Sequence, residues 1–210
     1  MAATWVGRNP GRSRARRPLQ ASESERMVCM SMHDLARQFG FVAVPMAQAR
    51  AELPEPVAVA LPESEVVVFA CLDEYSDTAA FSERYGVGLD DCANTLILKY
   101  SRQQGEHYAA AATLGSRRLD VNGAVKQRLG AKRLSMARRE IATEITGMQF
   151  GGITVFGVPE GMRILIDESV MTRRFVIMGA GRRDRKLLLA PSTLARLPLV
   201  EIGPMALPAA

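Results

Sequence analysis

The sequence predicts an α+β domain built on a mixed, largely antiparallel β-sheet. Apolar runs of strand length come in two clusters, separated by a stretch of helical character, rather than in regular strand–helix alternation. A length of 210 residues with 48% hydrophobic content is enough to bury one core of ordinary size. The apolar runs "EVVVFACL" and "HYAAAATL" fall far short of the ~20 residues that span a bilayer, so a soluble protein is expected.

Taken in order, "SMHDLARQFGF" forms a short helix capped by Ser31, and "PMAQARAEL" starts a second with Pro45 near its first turn. "LPEPVAVALPESE" reads as a proline-interrupted connection with a short edge strand. "VVVFACL" is a buried strand by its β-branched content. "SDTAAFSERYGVG" is a helix with Ser76 as its cap and Gly86 or Gly88 as its stop. Strands follow at 94–100 and 107–113, on either side of the turn "SRQQGE". Asp120 caps a helix "VNGAVKQRLG", "KRLSM" is a short strand, and "ARREIATEITG" is a helix ending at Gly147. The remainder is strand-rich: "GITVFGV", "RILID", "FVIMG" and "KLLLA", then a short helix "PSTLARL" and a last strand "LVEIG".

The net charge of +5 is unevenly placed. Residues 1–26 hold six arginines (8, 12, 14, 16, 17 and 26) against Glu23 and Glu25, which is +4 and leaves +1 for the rest. This segment has no hydrophobic periodicity and reads as a disordered basic arm, a targeting segment or an extension upstream of a start at Met27, Met30 or Met32. The organisation expected is therefore 1–26 as arm or extension, 27–60 as a helical lead-in, and 61–205 as the folded body.

Much chemistry is excluded. No GxSxG, HExxH, GxxxxGK[ST] or GxGxxG pattern occurs. "GAGRRDR" (179–185) lacks a third glycine and leads into a strand, whereas a pyrophosphate loop needs a helix N-terminus. Cys29, Cys71 and Cys92 are odd in number without CxxC spacing, which points away from disulfides and zinc and towards a reducing cytoplasm. The two histidines, His33 and His107, exclude a His-rich metal site and read as surface residues. Cys92 lies close to Asp90 and Asp91, which raise a thiol pKa, so it reads as a small buried hydrophobe rather than a nucleophile. What stands out is glycine: "TGMQFGGITVFGVPEG" contains five. A doublet such as Gly151-Gly152 serves either a hairpin turn or a loop whose N–H groups bind a carbonyl or oxyanion.

The segments "CANTLIL", "RLDVNGAVKQRLGAKRLSMA", "TGMQFGGITVFG", "RILIDESV" and "FVIMGAGRRDRKLLLAPSTLARL" follow one another in the order and spacing of the YbaK/EbsC family. The chain resembles this family over roughly residues 60–205. These are free-standing relatives of the editing domain of prolyl-tRNA synthetases. The resemblance implies a partly closed, mixed sheet with surrounding helices, and trans-editing: hydrolysis of the ester joining a wrong amino acid to the tRNA 3′ adenosine. It implies no metal or other cofactor and no covalent intermediate. The partners it implies are the aminoacyl-tRNA 3′ end and a prolyl-tRNA synthetase, with neither membrane nor DNA.

It also implies where the site lies. The family's lysine position is Asn94 here, and its GxxxP loop is Gly151-Gly152-Ile153-Thr154-Val155, with Val155 in place of the proline. Asn94, Gly151 and Gly152 are the catalytic candidates. Ile153, Thr154, Val155, Asp167, Ser169, Gly179, Gly181 and Arg182 are the candidates for substrate binding. An amide brings no charge, and a lost charge-assisted contact costs on the order of 1–3 kcal/mol. Lys99 lies an odd step from Asn94 along the strand and so faces away; Lys126 and Lys132 bracket a helix end. Arg182, Arg183 and Lys186 are the cations best placed to meet a phosphate, or are members of a solvated turn. Two functions stand: a deacylase in which Asn94 positions the aminoacyl group, or a non-catalytic relative that keeps the cleft for binding.

Overall fold

The computed structural model describes residues 30–103 and 105–208. The segment 1–26 and the first residues of the lead-in lie outside them.

Three short helices open the described chain: α1 (Met32–Gln38), α2 (Met46–Glu52) and α3 (Glu55–Ala60). α1 begins at a reciprocal cap. The Ser31 hydroxyl accepts from the Asp34 N–H at 3.1 Å, and the Asp34 carboxylate accepts from the Ser31 N–H at 3.3 Å. α3 replaces the connection and edge strand expected for this stretch. Pro56 stands in its first turn, where a helix needs no N–H, so the proline pattern marks a helix start rather than an interruption.

β1 (Val66–Ala70) and α4 (Thr78–Tyr85) come next. The cap of α4 is Asp77 by position, without a side-chain bond, and not Ser76, which ends a preceding 3-10 turn. β2 (Ala93–Ser101) and β3 (Glu106–Leu114) pair antiparallel. They are followed by α5 (Ala124–Leu129), β4 (Arg133–Met136) and α6 (Arg139–Thr146), which stops at Gly147 with φ 67°. The N-cap of α5 is Gly123 and not Asp120, which stands one turn earlier and accepts from the N–H groups of Gly123 and Ala124, each at 2.9 Å. The chain closes with β5 (Arg163–Asp167), α7 (Glu168–Met171), β6 (Val176–Gly179), β7 (Arg185–Leu189), a 3-10 turn over Pro191–Arg196, and β8 (Val200–Gly203). "GITVFGV" is a loop, not the expected strand.

The strands form two sheets. One has the order β1-β7-β6, with both pairings antiparallel. The other has the order β4-β2-β3-β5-β8; its first two pairings are antiparallel and its last two parallel. Among the described residues neither sheet closes into a barrel. A lone parallel bridge, Cys92–Ile177, joins the two. The larger core lies between them, drawing Val68, Ile97, Ala110, Phe156, Ile164, Met178 and Leu187 together. A second core packs Leu98, Ala109, Ala111 and Leu165 under Val125 and Leu129 of α5. β3 contributes Ala109 to Ala112, all buried; small side chains at the centre of the larger sheet let both layers approach closely. Among the described residues no helix is long and apolar enough to cross a membrane.

Candidate active site

A cleft of about 390 Å³ opens near the bridge where the two sheets meet. Its walls are the start of β2, the turn leading into α4, the loop around Gly151, the end of β6 and one side chain of β7.

Asn94, the second residue of β2, is half-buried in this wall and pairs with Thr113 of β3. The Thr78 hydroxyl donates to the Asn94 side-chain oxygen. That contact fixes the amide, and its NH₂ has no acceptor among the described residues. Cys92, two residues earlier, is only 3% exposed. Burial pushes its thiol up to about 12, helped by Asp91 and opposed by Lys186, so it stays protonated and is no nucleophile.

Lys186 enters the cleft from β7, beside the buried Leu187 to Leu189. It is 5% exposed. Its ammonium donates to the Ser76 carbonyl and lies 5.5 Å from the centre of the Phe81 ring. Burial pulls its pKa below the ordinary lysine value, against the opposing pull of Cys71, Cys92 and Asp77.

The glycine loop is held by a crossing of two backbones. The Gly181 N–H donates to the Gly152 carbonyl at 2.7 Å, and the Gln149 N–H donates to the Gly181 carbonyl at 2.9 Å. A Cβ on Gly152 would lie 2.3 Å from the Arg182 carbonyl oxygen, and one on Gly179 would lie 2.3 Å from the Gly152 oxygen. The Gly152 N–H donates to the Gln149 carbonyl at 2.9 Å, so it is already engaged and does not polarise a ligand. The N–H of Thr154 is likewise taken, by the Met148 sulfur at 3.4 Å. Gly151 and Ile153 line the cleft, and neither N–H has an acceptor among the described residues. The N–H groups of this loop left open to a further acceptor are therefore those of Gly151 and Ile153, and not that of Gly152. Phe150, at the mouth, is 44% exposed with the Arg139 guanidinium 5.1 Å from its ring centre. Arg183 secures this loop, donating to the Phe150 carbonyl at 3.4 Å and to the Asp73 carboxylate at 2.8 Å.

The structure thus gathers Asn94, Gly151, Ile153 and Gly179 at one cleft, with Gly152 behind them. Thr154 and Val155 are buried behind the loop and do not line it. Asp167 and Ser169 lie elsewhere. The Asp167 carboxylate, at the end of β5, accepts from the N–H groups of Met205 and Ala206, both at 2.8 Å, and from Ser169. Gly181 makes the backbone crossing. Arg182 is turned away, bonded to Asp184 at 2.8 and 2.9 Å and to the Glu52 carbonyl at 3.2 Å. Lys99 pairs with Glu106 at 2.6 Å and is not part of the cleft.

The sequence does not single out Thr78 and Phe150; it marks Ser76 only as a helix cap, and Lys186 as a cation for a phosphate or a member of a solvated turn. The signal available for Lys186 was its place at the head of the apolar run 187–189, inside a strand rather than a turn. Among the described residues no three His, Cys, Asp or Glu side chains converge to hold a metal ion.

A family model described as "Aminoacyl-tRNA editing domain" matches residues 73–197, which take in every wall of the cleft. Among solved structures, the chain is similar to a proposed trans-editing enzyme for prolyl tRNA synthetase. The two share 17% identity over 80% of this chain and 100% of that one, with a TM-score of 0.63. A hypothetical protein matches at 18% identity over 83% of this chain and 98% of its own, with a TM-score of 0.60. A proposed signal transduction protein from Marinobacter aquaeolei VT8 matches at 19% identity, with a TM-score of 0.51, over 75% of this chain but 31% of its own. At such identities these structures establish a common fold. The family match, by contrast, spans more than half of the chain and contains the whole cleft: the chain belongs to the aminoacyl-tRNA editing domain family.

Proposed function

We propose that the chain is a trans-editing deacylase that hydrolyses the ester of mischarged aminoacyl-tRNA, with tRNAPro-type substrates. One observation carries this reading. Two backbone N–H groups without acceptors among the described residues belong to Gly151 and Ile153, which line the same cleft as Asn94. Preorganised donors of this kind stabilise the negative charge that an ester carbonyl develops under attack by water. The water oxygen bonds to the carbonyl carbon, the carbonyl oxygen takes up charge between these donors, and the carbon–oxygen bond to the ribose breaks. The ribose oxygen leaves with a proton, giving free amino acid and deacylated tRNA. The neighbouring ribose hydroxyl assists the water, and no metal or covalent intermediate takes part. The chain acts in the cytoplasm on the 3′ aminoacyl-adenosine end, with a prolyl-tRNA synthetase as the associated enzyme.

A second reading is favoured by Asn94 itself, which supplies an amide where a charge would bind more strongly. On that reading the cleft binds aminoacyl-adenosine without turning it over. Deacylation of Cys-tRNAPro and Ala-tRNAPro decides between the two, with the native chain, Asn94→Lys, Asn94→Ala and an enzyme-free control. The deacylase reading expects turnover by the native chain and a loss of about tenfold to hundredfold in kcat/KM for Asn94→Ala. Turnover by Asn94→Lys alone means that the native cleft binds without catalysing.

A further inference from the structure

A lysine as deeply buried as Lys186 is ordinarily matched by a carboxylate, because an ammonium leaves water at great cost. Here no carboxylate among the described residues comes within ion-pair distance. Lys99, by contrast, is paired on the surface with Glu106. The Lys186 ammonium has three N–H donors. One goes to the Ser76 carbonyl and the Phe81 ring covers part of the rest. The cleft reaches the side chain.

The placement is specific. Lys186 pairs with Gly179 on β6, itself in the cleft wall, and is tied to Ser76. Asn94 is tied to Thr78, two residues further along the same turn. One short turn therefore secures a charged donor and a neutral donor on two different sheets and presents both to one cavity.

We propose that Lys186 is the substrate-binding cation of this cleft, its ammonium meeting a ligand oxygen that carries full or partial negative charge. The identity of the ligand rests on the deacylase reading. That oxygen belongs either to the aminoacyl carbonyl or to the phosphate next to the terminal adenosine. Asn94 and Lys186 then divide the work between them, the amide orienting the ligand and the ammonium holding its charge.

Binding is measured by calorimetry with two non-hydrolysable probes. The first is 3′-alanylamido-3′-deoxyadenosine, which has no phosphate; the second is the same nucleoside carrying a 5′-linked cytidylate. The proteins are the native chain, Lys186→Met and Asn94→Lys/Lys186→Met. The expected result is that Lys186→Met weakens binding by about tenfold to hundredfold. Loss with both probes assigns the contact to the carbonyl; loss with the second alone assigns it to the phosphate. Asn94→Lys in the same background restores binding, since it returns a charge to the same cavity.

Urea unfolding of Lys186→Met supplies a readout that a structural role would not give. A buried cation kept for ligand binding makes the folded chain less stable than an apolar side chain of like volume, so Lys186→Met unfolds at a higher midpoint while binding less. Unchanged binding in a folded Lys186→Met, no binding of either probe by the native chain, or a lowered midpoint without loss of affinity overturns the proposal. Native binding without deacylation leaves Lys186 its role and removes the deacylase reading. Deacylation unaffected by Lys186→Met does the reverse.

Discussion

Cys92 sits at the floor of the cleft between Asp91 and Ala93, and its burial has a consequence at alkaline pH. The folded chain holds its thiol proton up to about 12, against an ordinary value of 9.0. Above pH 9 the unfolded chain releases that proton and the folded one does not, so stability is full below pH 9 and falls as pH rises towards 12. The slope is about 1.4 kcal/mol per pH unit. Cys92→Ala removes this component, so the difference in urea midpoint between native and variant narrows from pH 8 to pH 10.5. If the two midpoints run parallel over that range, the thiol is not held protonated. At this scale the sequence was partly legible. Cys92 could be read as a buried hydrophobe from its acidic neighbours. The environment of Lys186 could not, because a run of Arg182, Arg183, Asp184, Arg185 and Lys186 looks like a solvated turn until the strand begins. Only its contacts, the Phe81 ring and the Ser76 carbonyl, reveal that its last member turns inward.

At the scale of elements, the crossing of the Gly151-Gly152 loop over the β6–β7 turn explains why "GITVFGV" is not a strand. Gly151 and Gly157 have φ of 89° and 72°, outside the extended region, and the loop's carbonyl at Gly152 bonds across to Gly181 instead of along a ladder. The apolar run alone reads as strand because Ile153, Val155 and Phe156 are buried; it is burial without pairing. Gly152→Ala pushes a methyl into the Arg182 backbone, which no side-chain rotation relieves. The expected cost is about 3 kcal/mol, the upper part of the overpacking range, read as a lowered urea midpoint. Gly161→Ala meets no atom within 4 Å and serves as the comparison, since its cost comes from φ of 78° alone. Helix α3 teaches the complementary lesson: two prolines two residues apart broke the sequence reading, yet Pro54 precedes the helix and Pro56 fits its first turn.

For the molecule as a whole, the class of fold was legible and the sheet order was not. Lengths and apolar content of β2, β3, β5, β6 and β7 follow from local sequence. The parallel pairings of β3 with β5 and of β5 with β8 depend on where intervening segments return the chain, which no local pattern records. Asp167 is the residue that holds this return. Buried at the end of β5, it takes the N–H groups of Met205 and Ala206 beyond β8, and so fastens the last described stretch to the larger sheet. Asp167→Ala leaves both N–H groups without their acceptor, and a loss of about 3 kcal/mol is expected by chemical denaturation. Its kcat/KM on mischarged tRNA, measured well below the unfolding midpoint, stays within about twofold of native, because the carboxylate does not line the cleft. A larger fall would make Asp167 part of the site after all.

The turn Ser76–Thr78 has one more implication, of a mechanical kind. The Asn94 amide and the Lys186 ammonium, which stand on different sheets, are both anchored within two residues of one another on this turn, by the Thr78 hydroxyl and the Ser76 carbonyl. A shift of one sheet against the other must therefore stretch or break one of these two tethers. The turn acts as a shared anchor: one short stretch of chain couples the two sheets across the cleft.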